Sequence, residues 1–306
     1  MNHVQKGNIA GIIAILLWST LALFTVFTSA IPPFQLTCMA FSMAFVIGLG
    51  LWIKEGKGII VHLRLPWKVW AVGIYGLFGY HFFYFLALKS APALEANLIN
   101  YLWPLLIVLL SAFLPNEKLR WYHSIGAILG FLGAFVLLGF GKEIAFSSHY
   151  TQGYMYALIC AFIWSSYSVL SRYFGSVPTL SVGGFCGVSA LLSLCAHLIF
   201  EQTHIPTTQE FLAALGLGLG PVGVAFFVWD YGMKQGDIKL IGSLSYITPL
   251  LSTLMLVLFG RTAPSNTIWI ACSLIVLGSI ISSLPFLKAY GTSLVLVINH
   301  FRNSIQ

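Results

Sequence analysis

The chain has 306 residues, 58% of them hydrophobic and only 8% charged, with a formal net charge of +7. Soluble domains carry about 25% charged residues, so 15 basic and 8 acidic side chains cannot clothe a water-facing surface of this size. An ordinary soluble enzyme, a nucleic-acid-binding module and a disordered chain are excluded, and a mean hydropathy of +0.91 leaves a polytopic membrane protein.

Ten apolar segments follow one another, at residues 8–28, 33–53, 68–88, 95–114, 121–140, 152–172, 180–200, 209–232, 240–260 and 267–287. Each is near the roughly 20 residues that cross a ~30 Å hydrocarbon core. Pro32-Pro33, the stretch from Lys54 to Lys68, residues 115–118, Pro178, Gly236-Asp237 and residues 264–266 separate them. A lipid-facing backbone must satisfy its own hydrogen bonds, so every segment is predicted to be helical. Runs such as 9–17 and 105–110 are apolar throughout and lack the alternation of barrel strands. The first segment is longer than the apolar part of a secretory signal and no small-residue cleavage site follows, so it is read as a span. Residues 291–306 fit no span and are read as a non-native or interfacial tail without a function.

With the N-terminus placed in the cytoplasm, Lys6, Lys54, Lys57, Arg64, Lys68, Lys118, Arg120, Arg172, Lys234, Lys239, Lys288 and Arg302 fall inside. Only Lys89, Lys142 and Arg261 fall outside. This asymmetry predicts ten spans with both termini cytoplasmic, and the net positive charge is a topology signal rather than a nucleic-acid footprint. Cys38, Cys160, Cys186, Cys195 and Cys272 lie singly in apolar runs. They read as small buried hydrophobes, not a disulfide framework or a zinc site.

The two halves repeat. Gly7, Trp18, Ser19 and Pro32 recur 146 residues later as Gly153, Trp164, Ser165 and Pro178. Residues 101–106 (YLWPLL) recur 145 residues later as 246–251 (YITPLL), and Gly133 recurs as Gly278. The units are residues 1–144 and 145–290, five spans each. Five is odd, so the second copy enters the membrane inverted. Inverted repeats mark secondary transporters, whose sites lie near the midplane where the repeats meet.

At these residues the chain resembles the drug/metabolite transporter superfamily, in its EamA-domain branch, over about residues 7–288. Its closest likeness is to the bacterial aromatic amino acid exporters of that branch. The likeness rests on residues 17–20 (LWST), Glu95 followed by residues 100–104 (NYLWP), residues 161–164 (AFIW) with Tyr167, and residues 242–249, which include Ser245 and Tyr246. It implies a ten-helix basket that exports amino acids or related metabolites across the inner membrane. Many EamA repeats carry a Glu after the fourth helix; Glu117 fits, whereas residues 260–262 (GRT) in the second copy do not.

Pro104 and Pro249 fall in mid-span, where proline leaves the carbonyl four residues earlier, on Asn100 and Ser245, without its donor. Such carbonyls can bind an ammonium group, and the kink can serve as a hinge; packing kinks are the alternative. Trp52, Trp67, Trp70, Trp121 and Trp269 suit the membrane interface. Trp18, Trp103 and Trp164 lie too deep for that and, with Tyr101 and the i, i+4 pair Tyr80 and Tyr84, suggest a polar cavity for an aromatic or amphipathic ligand. Among ionisable groups within spans, His81 and Glu95 are candidates for ligand or proton binding. Asp230 can instead pair with Lys234 at i+4, and His197 reads as structural. Gly126, Gly130, Gly133, Gly183, Gly184 and Gly187 suit close helix packing.

These features predict a secondary transporter of aromatic or hydrophobic amino acids, driven by the substrate gradient or by proton exchange, with no cofactor or metal. Its partners are the small-molecule cargo and the lipid bilayer; no oligomeric state follows. A nucleoside, polyamine, quaternary cation or cofactor-like metabolite is the alternative cargo. An intramembrane enzyme lacks HExxH, GxSxG or paired aspartates, residues 139–143 are no Walker A loop, and no selectivity-filter pattern supports a channel.

Overall fold

A computed structural model describes residues 2–56, 58–115, 117–139, 146–259 and 266–283. The 291–306 tail, the 144/145 boundary between repeats, residues 260–262 and the basic residues Lys57, Lys142, Arg261, Lys288 and Arg302 lie outside the described residues. Among the described residues ten helices are long and apolar enough to cross a membrane. They are α1 (His3–Phe27), α2 (Pro33–Glu55), α3 (Trp67–Ser90), α4 (Ala93–Phe113), α5 (Trp121–Gly139), α6 (Ser148–Tyr173), α7 (Thr179–Phe200), α8 (Thr208–Gln235), α9 (Ile238–Leu258) and α10 (Asn266–Ser283). Each predicted span is present.

Proline sets several helix starts. Pro32, Pro66 and Pro92 stand just before helices, and Pro178 before the short turn that opens α7; there the fixed φ helps and the missing N–H is not needed. Asn2 with Gln5 and Thr207 with Glu210 form capping boxes on α1 and α8. Glu201 accepts from the N–H groups of Phe34 and Gln35 at 3.0–3.1 Å, a carboxylate on the positive end of α2. His197, which has no partner evident from sequence, bonds Glu201 at 2.9 Å and Thr203 at 3.0 Å. Trp52 departs from its interfacial expectation: it is fully buried and donates to the Leu180 carbonyl at 2.9 Å.

The repeats interleave rather than stand side by side. Helix α1 packs on α8 and α9, α6 packs on α3 and α4 in the mirrored arrangement, and α2 faces α7. The recurring glycines make the first two contacts possible. A Cβ on Gly7 would run into the backbone of Gly236, and one on Gly153 would lie 2.7 Å from the Ala91 nitrogen.

The irregularities also repeat. A π-helical turn, Tyr75–Gly79, divides α3, and another, Gly220–Val224, divides α8; the α-helices after them run Tyr80–Ser90 and Ala225–Gln235. All these bounds differ by 145. Helix α4 is interrupted between Ala93–Asn100 and Trp103–Leu110, and α9 between Ile238–Leu244 and Ile247–Leu258. Pro104 and Pro249 thus stand mid-span, in the first turn of the second piece, with the interruption in the turn just before them. A proline there lacks only an N–H that a helix start leaves unpaired anyway, so the break moves one turn upstream. The Ser245 carbonyl, expected to be open, accepts from the Thr248 N–H at 3.1 Å.

Replacing Gly7 or Gly153 by Val forces backbones apart at a cost of about 1–3 kcal/mol or more. We expect both variants to lose thermal stability in detergent, measured by fluorescence-detected gel filtration. Gly50→Ala, with open space around its Cβ, should stay within about 0.5 kcal/mol of wild type.

Candidate functional site

Where α1, α2, α3, α4, α6, α8 and α9 converge they enclose a cavity of about 700 Å³, within the ~300–1,000 Å³ range of small-molecule sites. It extends to Thr28, Ser29 and Leu88, at the end of α1 opposite the N-terminus. Toward the N-terminus the α1 lining stops at Trp18, which makes the face carrying the N-terminus the closed one.

The floor is aromatic. Trp18 touches Trp164, Trp103 and Trp229 with ring centroids 5.5, 6.2 and 4.7 Å apart, and Trp164 stacks on Trp229 at 6.1 Å. The Trp18 indole N–H donates to the Pro221 carbonyl at 2.9 Å, inside the π turn of α8. The wall continues with Tyr80 and Tyr84, stacked 5.9 Å apart, which supports the i, i+4 reading. Asn100 donates to the Tyr80 hydroxyl at 3.1 Å and Tyr84 donates to Asn97 at 2.7 Å. His81 lies against Phe41 and Phe226, and its Nδ1–H donates to the Leu77 carbonyl at 2.8 Å. Tyr101 completes the wall on α4. None of the lining residues is Asp, Glu, Lys or Arg. Asn100 Oδ1 and Thr248 Oγ1, both on lining residues, are buried without a hydrogen-bond partner.

Of the residues singled out from sequence, Trp18, Tyr80, His81, Tyr84, Asn100, Tyr101, Trp103 and Trp164 therefore meet in one cavity. Glu95, Tyr167, Ser245, Tyr246, Pro104 and Pro249 do not line it. Glu95 is buried at the start of α4 with one carboxylate oxygen unpartnered. Tyr167 packs under Trp164, away from the opening, at 5.4 Å. The fully buried Tyr246 accepts a hydrogen bond from the Leu105 N–H at 3.1 Å. That N–H follows the break in α4, so the hydroxyl of one repeat completes the interrupted helix of the other. Phe226, Trp229 and Thr248 were not found from sequence; Thr248 and Trp229 stand 145 residues after Trp103 and Tyr84, a register that could have found them.

The closed face is held by charge. Arg172, at the end of α6, donates to Glu117 at 2.6 Å and to the Met233 and Gly236 carbonyls at 3.0 and 2.7 Å, the unpaired C-terminal end of α8. Lys239, at the start of α9, pairs with the other Glu117 oxygen. Burial would push the Glu117 carboxyl up, but the Lys239 hydrogen bond and the Arg172 and Lys239 charges outweigh it and hold the carboxyl below its ordinary value. On the open face Val26 stands at the position mirroring Arg172 and Leu94 at the one mirroring Lys239, and these apolar side chains can form no such lock.

The EamA-like transporter family model matches the chain twice, over residues 5–139 and 151–284. An "Aromatic amino acid exporter YddG" of Ancylobacter novellus is 53% identical over 92% of this chain and 98% of its own. Proteins of the same name from Salmonella typhimurium and Escherichia coli are 24% and 23% identical over 90% of this chain and 96% of theirs. A solved crystal structure superposes with a TM-score of 0.89 at 52% identity, covering 92% of this chain and 98% of that one.

Two outcomes follow from this geometry. Tyr246→Phe strands the Leu105 N–H and should cost about 1–3 kcal/mol in thermal unfolding, whereas Tyr101→Phe, at the cavity wall, should cost little. A carboxyl held low contributes stability above its ordinary pKa and loses it only as pH falls through the lowered value. The stability difference between wild type and Glu117→Gln should thus stay constant from about pH 8 to pH 5 and shrink only below the ordinary Glu value of ~4.3, as read by thermal melts across pH.

Proposed function

Because the chain belongs to the EamA-like transporter family, we propose that it is a secondary transporter exporting aromatic amino acids across the inner membrane by alternating access. The observation that carries the reading is an uncharged, aromatic-lined cavity, open on one face and locked by Glu117, Arg172 and Lys239 on the other. The relatives named as aromatic amino acid exporters support the cargo. The basic residues concentrate on the locked face, which also carries the N-terminus, so that face is cytoplasmic and the cavity opens outward.

The chemistry fits a neutral zwitterion. The substrate ring lies among Trp18, Trp103 and Trp164, and its ammonium gains from the faces of Tyr80 and Tyr101. Asn100 Oδ1 and Thr248 Oγ1 offer hydrogen-bonding capacity just beneath the wall. With no lining charge, acidic and basic amino acids would bury an unpaired charge and are disfavoured. Release to the outside needs only the present state. Loading needs the lock to part and the mouth to close, which two repeats achieve by exchanging conformations. Glu95 lies off the cavity, which favours transport driven by the substrate gradient over proton exchange through that residue.

Counterflow of labelled phenylalanine, tryptophan, threonine and methylviologen in proteoliposomes tests the proposal. We expect exchange of phenylalanine and tryptophan, and a loss of about tenfold, ~1.4 kcal/mol, in Trp103→Ala and Trp164→Ala, read per folded protein because truncating either buried indole also lowers thermal stability. Exchange of methylviologen alone would transfer the reading to cationic cargo. No exchange of any amino acid would overturn it.

A further inference from the structure

We propose that Asp230 is the ammonium-binding group of a second substrate subsite, on the locked face, which Lys234 occupies as a tethered stand-in while that face is closed. The proposal rests on the alternating-access reading above and adds a binding site to it. Asp230 lies in α8, is 2% exposed, and belongs neither to the cavity wall nor to the Glu117 lock. Its carboxylate is fully engaged: Ser171 donates at 3.0 Å, Thr179 at 2.7 Å and the Lys234 ammonium at 2.7 Å. Lys234 also donates to the Val177 carbonyl at 2.9 Å. A buried ion pair is a poor source of stability, since desolvation offsets most of its attraction. In a chain this poor in charge, a buried carboxylate inside a span, five residues before its end at Gln235, is a functional candidate by default.

The repeat register says what it faces when the protein turns over. The helices Tyr80–Ser90 and Ala225–Gln235, each preceded by a π turn, correspond at an offset of 145. Phe85 therefore corresponds to Asp230, Tyr84 to Trp229 and Lys89 to Lys234. In the open half, Tyr84 and Phe85 line the cavity and Lys89 is exposed. When the second repeat takes the conformation that the first has here, Trp229 and Asp230 line the cytoplasmic cavity and Lys234 moves out to water. The carboxylate then lacks an ammonium partner. An incoming amino acid supplies the same group, –NH3+ for –NH3+, and lays its ring against Trp229, which already stacks on Trp164.

The mirror position on the open face is Phe85, which has no charge. Substrate is thus gripped by a carboxylate on the loading face and only by neutral groups on the releasing face. The asymmetry sets affinity on each side; the substrate gradient sets direction.

The test compares everted membrane vesicles, which present the locked face, with right-side-out vesicles, both transporting labelled phenylalanine. The readout is the ratio of inhibition by phenethylamine, which keeps the ammonium, to inhibition by 3-phenylpropionate, which keeps the carboxylate. A ratio is independent of shifts in the balance between states. In wild type, phenethylamine should be preferred on the everted face. Asp230→Asn should erase that preference by about tenfold, the loss of one charge-assisted contact, and leave the ratio in right-side-out vesicles unchanged. Should that variant fail to fold around an unpaired Lys234, Asp230→Asn combined with Lys234→Met leaves no stranded charge and should give the same result. An unchanged everted ratio, an equal change on both faces, or loss of folding in both variants would overturn the proposal. Absence of phenylalanine transport by wild type would instead overturn the export reading.

Discussion

A peptide group inside a bilayer has no water to fall back on, so every interruption of a spanning helix must be satisfied by protein. Among the described residues α3, α4, α8 and α9 are interrupted at matched places, and two of these interruptions are satisfied from the opposite repeat. The Tyr246 hydroxyl accepts the Leu105 N–H left free by the break in α4, and the Trp18 indole donates to the Pro221 carbonyl in the π turn of α8. Each bond ties irregular backbone in one repeat to an aromatic side chain of the other. Tyr101, Trp103 and Thr248, at or beside the breaks in α4 and α9, line the cavity together with Trp18. Remove the cross-repeat bonds and the breaks become uncompensated desolvation, about 1–3 kcal/mol for each buried group.

A symmetric pair of repeats has no reason to prefer one face, and the bias here comes from few side chains. Arg172, Glu117 and Lys239 join the ends of α4, α6, α8 and α9 on one face, while Val26 and Leu94 stand at the positions mirroring the two cations. The same contrast recurs deeper: Tyr246 is sealed against Gly130 and Leu105, while its counterpart Tyr101 faces the cavity. The two copies of one motif thus stand in different environments within one molecule.

Much of this was legible in the sequence. The spans follow from apolar run length, and the inverted architecture from an odd number of helices in a repeat of nearly constant offset. The deep tryptophans were legible because an indole N–H at the membrane centre needs a partner. What the sequence could not show is which half of the path is open, since Tyr101 and Tyr246 are equivalent in sequence and opposite in environment. The π turns carry no period of their own beyond nearby Gly and Pro. The lock is hidden because Glu117 and its two partners lie 55 and 122 residues apart, and in sequence Arg172 and Lys239 carry only a topology signal. The prolines mark where α4 and α9 are interrupted, in the turn just before each, but spacing alone does not say how far the interruption extends.

The central claim is that the open and locked faces exchange. Spin labels at Ser29 and Leu258 would report the open mouth, and labels at Lys118 and Tyr173 the locked face, by pulsed electron resonance distance measurement in lipid nanodiscs. On addition of phenylalanine the account predicts a second population in which the mouth distance shortens and the locked-face distance lengthens, in equal proportion. A locked-face distance that keeps a single value under all conditions, while transport proceeds, would contradict it.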